Sequence, residues 1–177
     1  MSVDTKVRLK GCVEIEAILE FVRNKFDANA DIFMKSVTPY DDDVVKEFYK
    51  KGIIADSYAE KPYIMSGYVV FNYNNSTRMM FVSYDPINFS KNLKFYKSVG
   101  LEDMVNAETT FLNLGYNDDA VKIMTEIVKA YGGWIDYNDS DDEEYVYFEA
   151  GAEVPKKVRH VTMREVYEKF GEVVIID

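Results

Sequence analysis

The segment YIMSGYVVFNYNNSTRMMFVSYDP, Tyr63 to Pro86, places two runs of β-branched and aromatic residues on either side of Asn74, Asn75 and Ser76. Such residues favour the pleated conformation, and Asn tolerates the left-handed backbone of a tight turn, so the segment reads as a β-hairpin closed by Asp85 and Pro86. Met79 and Met80 then face opposite sides of one strand, one in the core and one out. A hairpin commits its strands to an antiparallel sheet, and the rest of the chain must fit that frame.

Further strands are read at Lys6 to Gly11, Ile32 to Thr38, Thr109 to Gly115, Trp134 to Asp136 and Tyr145 to Phe148. Apolar residues at Ile15, Ile18, Leu19, Val22 and Phe26 follow the spacing of one helix face, which predicts a helix from Val13 to Phe26. A second helix starts at the cap Asn117, holds Asp118 and Asp119 at the positive end of its dipole, and stops at Gly132 and Gly133. Its apolar face is Ala120, Ile123, Met124, Ile127, Val128 and Tyr131. Val44 to Gly52 is read as a short helix and Ile87 to Asn106 as irregular. Near the end, the basic PKKVRH, Pro155 to His160, precedes a capping box formed by Thr162 and Glu165, with Val161 and Val166 as its hydrophobic staple. That predicts a helix reaching Phe170, followed by a last strand, EVVIID.

Strands and helices without regular alternation predict an α+β fold: a mostly antiparallel sheet with two to four helices packed on one face, in a single domain over residues 1–177. Both confident helices are followed by a strand, but the two stretches share apolar positions and little else. This reads as common periodicity rather than duplication.

Thirty-one acidic against 21 basic residues give a formal charge of −10. That balance opposes sequence-independent nucleic-acid binding and attraction to anionic lipid, and favours a partner with a basic surface. No basic segment followed by an apolar run opens the chain, and no window resembles a membrane span. The single Cys12 excludes an internal disulfide and suits a reducing cytoplasm; it is expected as a small buried hydrophobe.

GGWIDYNDSDDEEYVYF, Gly132 to Phe148, carries six carboxylates between Asp136 and Glu144, just after the only tryptophan. Asp136, Asn138, Ser140 and Asp142 alternate like calcium ligands. Counting from Asp136, however, the sixth position is Asp141 rather than Gly and the twelfth is Tyr147 rather than Glu. A two-metal hydrolase built from these carboxylates with Asp41, Asp42, Asp43, Asp118 and Asp119 is an alternative that no spacing requires. His160, the one imidazole, stands among Lys156, Lys157 and Arg159, a surface context, and neither phosphate-cradling glycine motif is present. No catalytic residue, metal or cofactor is assigned. Abundant tyrosine, including Tyr40, Tyr58, Tyr63, Tyr137, Tyr145 and Tyr147 beside charges or turns, suits an interaction surface.

Leu101 to Tyr145, with a strand ending in Leu-Gly, a helix carrying IM and IV, then Gly-Gly-Trp and a run of Asp and Asn, resembles small acidic proteins of bacteriophages and mobile elements. The resemblance implies a genetic setting and no catalytic residues. In that setting the expected function is non-enzymatic: inhibition or sequestration of a host protein in the host cytoplasm, as in phage counter-defence of the anti-CRISPR or anti-restriction type. The target would be a basic, nucleic-acid-handling defence protein. The expected contact residues are Trp134 as anchor, Asp136, Asp139, Asp141, Asp142, Glu143 and Glu144 as phosphate-like charges, and Tyr137 and Tyr145 beside them. A toxin-neutralising immunity protein is a second reading of the same class, and a homo-oligomer formed through a helix face or sheet edge stays open.

Overall fold

A computed structural model describes residues 4–39, 63–84, 109–115, 117–136 and 142–162, together with Asp41, Asp43 and Lys46. For residues 142–145 and 157–162 it describes the backbone path alone. The chain runs β1 (Asp4–Lys10), α1 (Ile15–Lys25), β2 (Asp31–Pro39), β3 (Tyr63–Tyr73) and β4 (Ser76–Tyr84). It continues with β5 (Thr109–Gly115), α2 (Asp118–Tyr131), β6 (Gly133–Asp136), β7 (Asp142–Phe148) and β8 (Lys156–Thr162). These strands form an 8-stranded sheet in the order β2-β3-β4-β5-β1-β6-β7-β8. Every neighbouring pair is antiparallel, and the domain is α+β.

Alternation of burial along β1, β3, β4 and β5 sorts their side chains into two faces. One face presents Val7, Leu9, Met65, Val69, Phe71, Met80, Val82, Leu112 and Leu114 to the helices. Onto it α1 sets Ile15, Ile18, Leu19 and Val22, and α2 sets Ala120, Ile123, Met124, Ile127 and Val128. The two helices also touch each other: the Tyr131 hydroxyl donates to the Ala17 carbonyl at 3.1 Å, and the Phe21 and Tyr131 rings lie 6.0 Å apart. Lys25 and Glu126 close the gap between them at 2.7 Å.

Asn74 and Asn75 adopt φ of 49° and 58°, the left-handed pair that a two-residue turn needs to follow the twist of its strands. The turn is fixed to α2. Asp119 accepts from Asn74 Nδ2 and from the Arg78 guanidinium, each at 2.8 Å. Asn117 caps the same helix, accepting from the Ala120 amide at 2.8 Å. Met80 is buried and Met79 is exposed, as the strand period requires.

Two expectations change. Lys156–Thr162, for which the sequence predicts no strand, is strand β8, paired with β7, and Val161 belongs to that ladder. Among the extended elements described, a strand, a helix and three strands occur in that order twice, as β1-α1-β2-β3-β4 and β5-α2-β6-β7-β8, with the helical Asp43 and Lys46 between β2 and β3. The shared periodicity therefore has a topological counterpart, with β1 and β5 adjacent and antiparallel at the centre. The helix expected from Thr162 to Phe170 lies outside the described residues after Thr162. The strand EVVIID, the irregular Ile87 to Asn106 and nearly all of Val44 to Gly52 also lie outside them.

The switch from α2 into β6 depends on Gly133, whose φ is +146°. A Cβ there would fall 2.2 Å from the Arg8 carbonyl oxygen and 2.9 Å from the Leu9 Cα, both backbone atoms of a central strand. We expect Gly133→Ala to cost at least about 3 kcal/mol, since overlap and backbone strain add. Gly151→Ala, at φ +80° in open space, should cost about 1 kcal/mol. Urea unfolding of the two variants checks the contrast, and equal midpoints would refute it.

Glu126 sits between Lys25 and Lys129, and the Lys25 hydrogen bond in particular holds its carboxyl below its usual value of 4.5. A lowered acid stabilises the fold above the unfolded pKa and loses that contribution as pH falls through the folded one. Glu126→Gln should therefore lower stability near neutral pH by at most about 1 kcal/mol, given its partial exposure. The gap between the two proteins should close below pH 4.5 in denaturation series.

Candidate interaction surface

The acidic stretch and the chain's basic cluster lie on adjacent strands. In the β7/β8 ladder Asp142 faces Thr162, Glu143 faces Val161, Glu144 faces His160, Tyr145 faces Arg159, Val146 faces Lys157 and Tyr147 faces Lys156, with a register shift after Tyr145. Asp142, Glu143 and Glu144 thus belong to a strand and not to a turn; the register sets them opposite Thr162, Val161 and His160, while Arg159, Lys157 and Lys156 stand opposite Tyr145, Val146 and Tyr147 further along the same strand. Strands β7 and β8 together therefore carry three carboxylates, Asp142, Glu143 and Glu144, and three cations, Lys156, Lys157 and Arg159.

Trp134 and Asp136 were expected at the contact surface, and both are buried, with 2% and 4% of their surface exposed. Their positions on β6 explain this: Trp134 is opposite Arg8 on one side and Tyr147 on the other, and Asp136 is opposite Lys6 and Tyr145. The Trp134 and Tyr147 rings stand 5.2 Å apart, with Lys10 Nζ 4.6 Å from the centre of the Tyr147 ring and 5.8 Å from that of Trp134. Burial pushes the Tyr147 hydroxyl up, and as a neutral phenol it donates to Glu149 at 2.9 Å. Trp134 therefore fastens β6 to β7 and β1, and neither it nor Asp136 offers more than a trace of surface to a partner. Tyr137, Asp139 and Asp141 lie outside the described residues; Asp142, Glu143, Glu144 and Tyr145 are placed by their backbone in β7.

A different surface emerges from the register. On the sheet face turned away from α1 and α2, Phe33 is opposite Tyr68 and Tyr68 is opposite Phe81. Phe81 meets Phe111 diagonally, Phe111 is opposite Arg8, Arg8 is opposite Trp134, and Trp134 is opposite Tyr147. One row of rings, interrupted by a single guanidinium, crosses seven strands. Ring centres lie 5.3 Å apart for Tyr68 and Phe81 and 6.4 Å apart for Phe81 and Phe111, and the Arg8 guanidinium is 5.2 Å from the centre of the Phe111 ring. Ring pairs at such spacing contribute about 0.5–1.5 kcal/mol beyond their buried area.

The row changes character along its length. At the β6 and β7 end the rings are buried, whereas at the β2 to β4 end Phe33 is 50% exposed and Met79, opposite Val70, is 51% exposed. Tyr68, Val70, Phe81 and Phe111 between them are partly exposed. No helix among the described residues covers this face. Sequence reasoning missed the patch because each strand alone shows only alternation, and the row exists only once six registers are set.

Cys12 is half-buried rather than buried. Its sulfur lies 3.4 Å from the Tyr63 hydroxyl, which donates to Glu14 at 2.6 Å. Burial first, then Cys12 and Glu14, push the Tyr63 hydroxyl up, so the phenol stays protonated as a donor. Among the described residues no group of three His, Cys, Asp or Glu side chains is placed to hold a metal ion, and no helix is long and apolar enough to cross a membrane. Compared with protein families, curated proteins and solved structures, the chain matches none.

Lys156, Lys157 and Arg159 lie on β8 within a few register steps of Asp142, Glu143 and Glu144 on β7, so replacing the three together by Gln removes the nearby positive charge from an acidic strand. Directly opposed charge pairs are each worth about 0.2–1 kcal/mol, and these offset charges together amount to about one such pair. The triple variant should lose that order of stability at low salt and recover most of it near 1 M NaCl, where the screening length falls to about 3 Å. Urea midpoints at the two salt concentrations decide it, and a salt-independent difference would count against charge pairing.

Proposed function

We propose that this chain is a non-catalytic binding protein that inhibits or sequesters another protein through the sheet face that no helix among the described residues covers. The observation that supports this reading is the ring-rich patch at the β2 to β4 end, where Phe33 and Met79 leave half of their surface in water beside Tyr68, Phe81 and Phe111. Clustered aromatic and Met side chains beside an Arg match the core of protein interfaces, where a few such anchors carry most of the affinity. The setting proposed is the phage counter-defence one that the resemblance implies, with a host protein as target.

This reading moves the contact away from the acidic hairpin. A decoy for phosphate needs an uninterrupted run of exposed carboxylates, and here Asp136 is buried in β6 while Asp142 to Glu144 belong to a strand whose partner strand carries Lys156, Lys157 and Arg159. The hairpin's residual charge then serves long-range attraction to a basic target, and the rings provide short-range contact.

Three baits separate the alternatives in capture from a bacterial host lysate with mass spectrometry. They are the native chain, a Phe33→Glu/Met79→Glu variant, and a variant with Asn or Gln at the six acidic positions from Asp136 to Glu144. The expected outcome is one partner held by the native bait and by the neutralised hairpin, and lost by at least tenfold with the face variant. Loss with the neutralised hairpin alone would return the contact to the acidic stretch, and a native bait with no specific partner would sink the binding reading. Both face substitutions replace exposed side chains, so circular dichroism and urea midpoints should stay close to native.

A further inference from the structure

On the opposite side of the sheet, the end of α1, the end of β3 and the first turns of α2 enclose an open cavity of about 460 Å³. Its volume falls in the range of small-ligand sites, roughly 300–1,000 Å³. One wall is aromatic: Phe26 and Tyr73 meet edge to face with ring centres 5.6 Å apart, and Phe26 is backed by Phe71 at 6.4 Å. Val121 extends that apolar lining from α2.

The polar lining is small and specific. Lys25 is engaged by Glu126 at 2.7 Å, an ion pair that spans the two helices and fixes one side of the cavity. Lys122 also lines it and is exposed, and among the described residues its ammonium has no ion-pair or hydrogen-bond partner. Two lysines against one glutamate leave one positive charge in a chain whose formal charge is −10. A monoanion matches that surplus, whereas inorganic phosphate, without a ring, makes no use of the aromatic wall.

We infer that this cavity binds a small aromatic monocarboxylate, its ring against Phe26 and Tyr73 and its carboxylate on Lys122. Ring contact supplies the apolar area that a surface lysine lacks, and the charge-assisted bond sets the orientation. The site lies on the helix side of the sheet and is independent of the protein-binding face proposed above.

The test uses the full chain and three probes: 4-hydroxybenzoate, the uncharged 4-hydroxybenzamide, and inorganic phosphate, each titrated against amide chemical shifts. The benzoate should give saturable shifts at Phe26, Tyr73, Val121 and Lys122 in the millimolar range. Its affinity should fall about fivefold in Lys122→Ala, and the benzamide should bind native protein about fivefold more weakly, the loss of one exposed charge contact. Phosphate should leave these amides unmoved. No saturation with the benzoate, equal binding of acid and amide, an equal response to phosphate, or an unchanged affinity in Lys122→Ala would each overturn the inference. Lys122 is exposed on the helix surface, so its variant keeps the native spectrum elsewhere, and Tyr73→Ala, read in the same titration, tests the aromatic wall separately.

Discussion

Strand β1 is hydrogen-bonded to β5 on one side and β6 on the other, although β5 and β6 are consecutive strands of the second half, joined through α2. The second half therefore cannot close its own sheet: the strand that fills the gap between β5 and β6 comes from the first. Val7 and Leu9 on β1 lie under the helices, while Arg8 and Lys10 on its other side meet Phe111, Trp134 and Tyr147. Gly133 permits the close approach that this insertion requires, because its α-carbon passes the Arg8 carbonyl where no side chain fits. The insertion of β1 between β5 and β6 thus ties the described strands into one sheet.

That arrangement divides the chemistry between two faces. Helix burial consumes one face of β1, β3, β4 and β5, and the period of two leaves the opposite face with the remaining side chains. On an ordinary solvated face those would be polar. Here Phe33, Tyr68, Val70, Met79, Phe81 and Phe111 occupy it. The edge strand β2 carries a register shift between Phe33 and Ser36, with Met34 at φ 56°, and such a bulge discourages pairing with a further strand. A partner is accordingly better accommodated on the face than along this edge.

Local signals were sufficient for the elements that local chemistry determines. The Asn74 and Asn75 turn, the Asn117 cap, the Gly132 and Gly133 stop and the two amphipathic helices are all legible in the sequence, because turn tolerance, capping and periodicity act within a few residues. Strand β8 was not, since PKKVRH followed by Thr162 and Glu165 satisfies a helix-start pattern locally, whereas its pairing with β7 is decided by the hairpin as a whole. Asp136 misled for a similar reason. A carboxylate that opens an acidic run reads as solvent-exposed, yet here it closes a buried four-residue strand next to a central one. The row from Phe33 to Tyr147 involves six inter-strand registers, and single-strand patterns contain none of that information.

The charge balance is consistent with this division. The formal charge of −10 acts over a screening length, about 8 Å at physiological ionic strength, and so governs which partners approach rather than which atoms touch. Contact is governed by whatever apolar area stays exposed after folding, and among the described residues most of the large exposed hydrophobes lie on β2 and β4. Acidic side chains are meanwhile engaged within the fold: Asp119 with Arg78 and Asn74, Glu126 with Lys25 and Lys129, and Glu16 with Lys35. Acidity therefore works here as steering and as internal fastening. An interface built on the open face would be strengthened by screening if its target were acidic and weakened if its target were basic, which makes the sign of the salt dependence a direct report on the partner's surface.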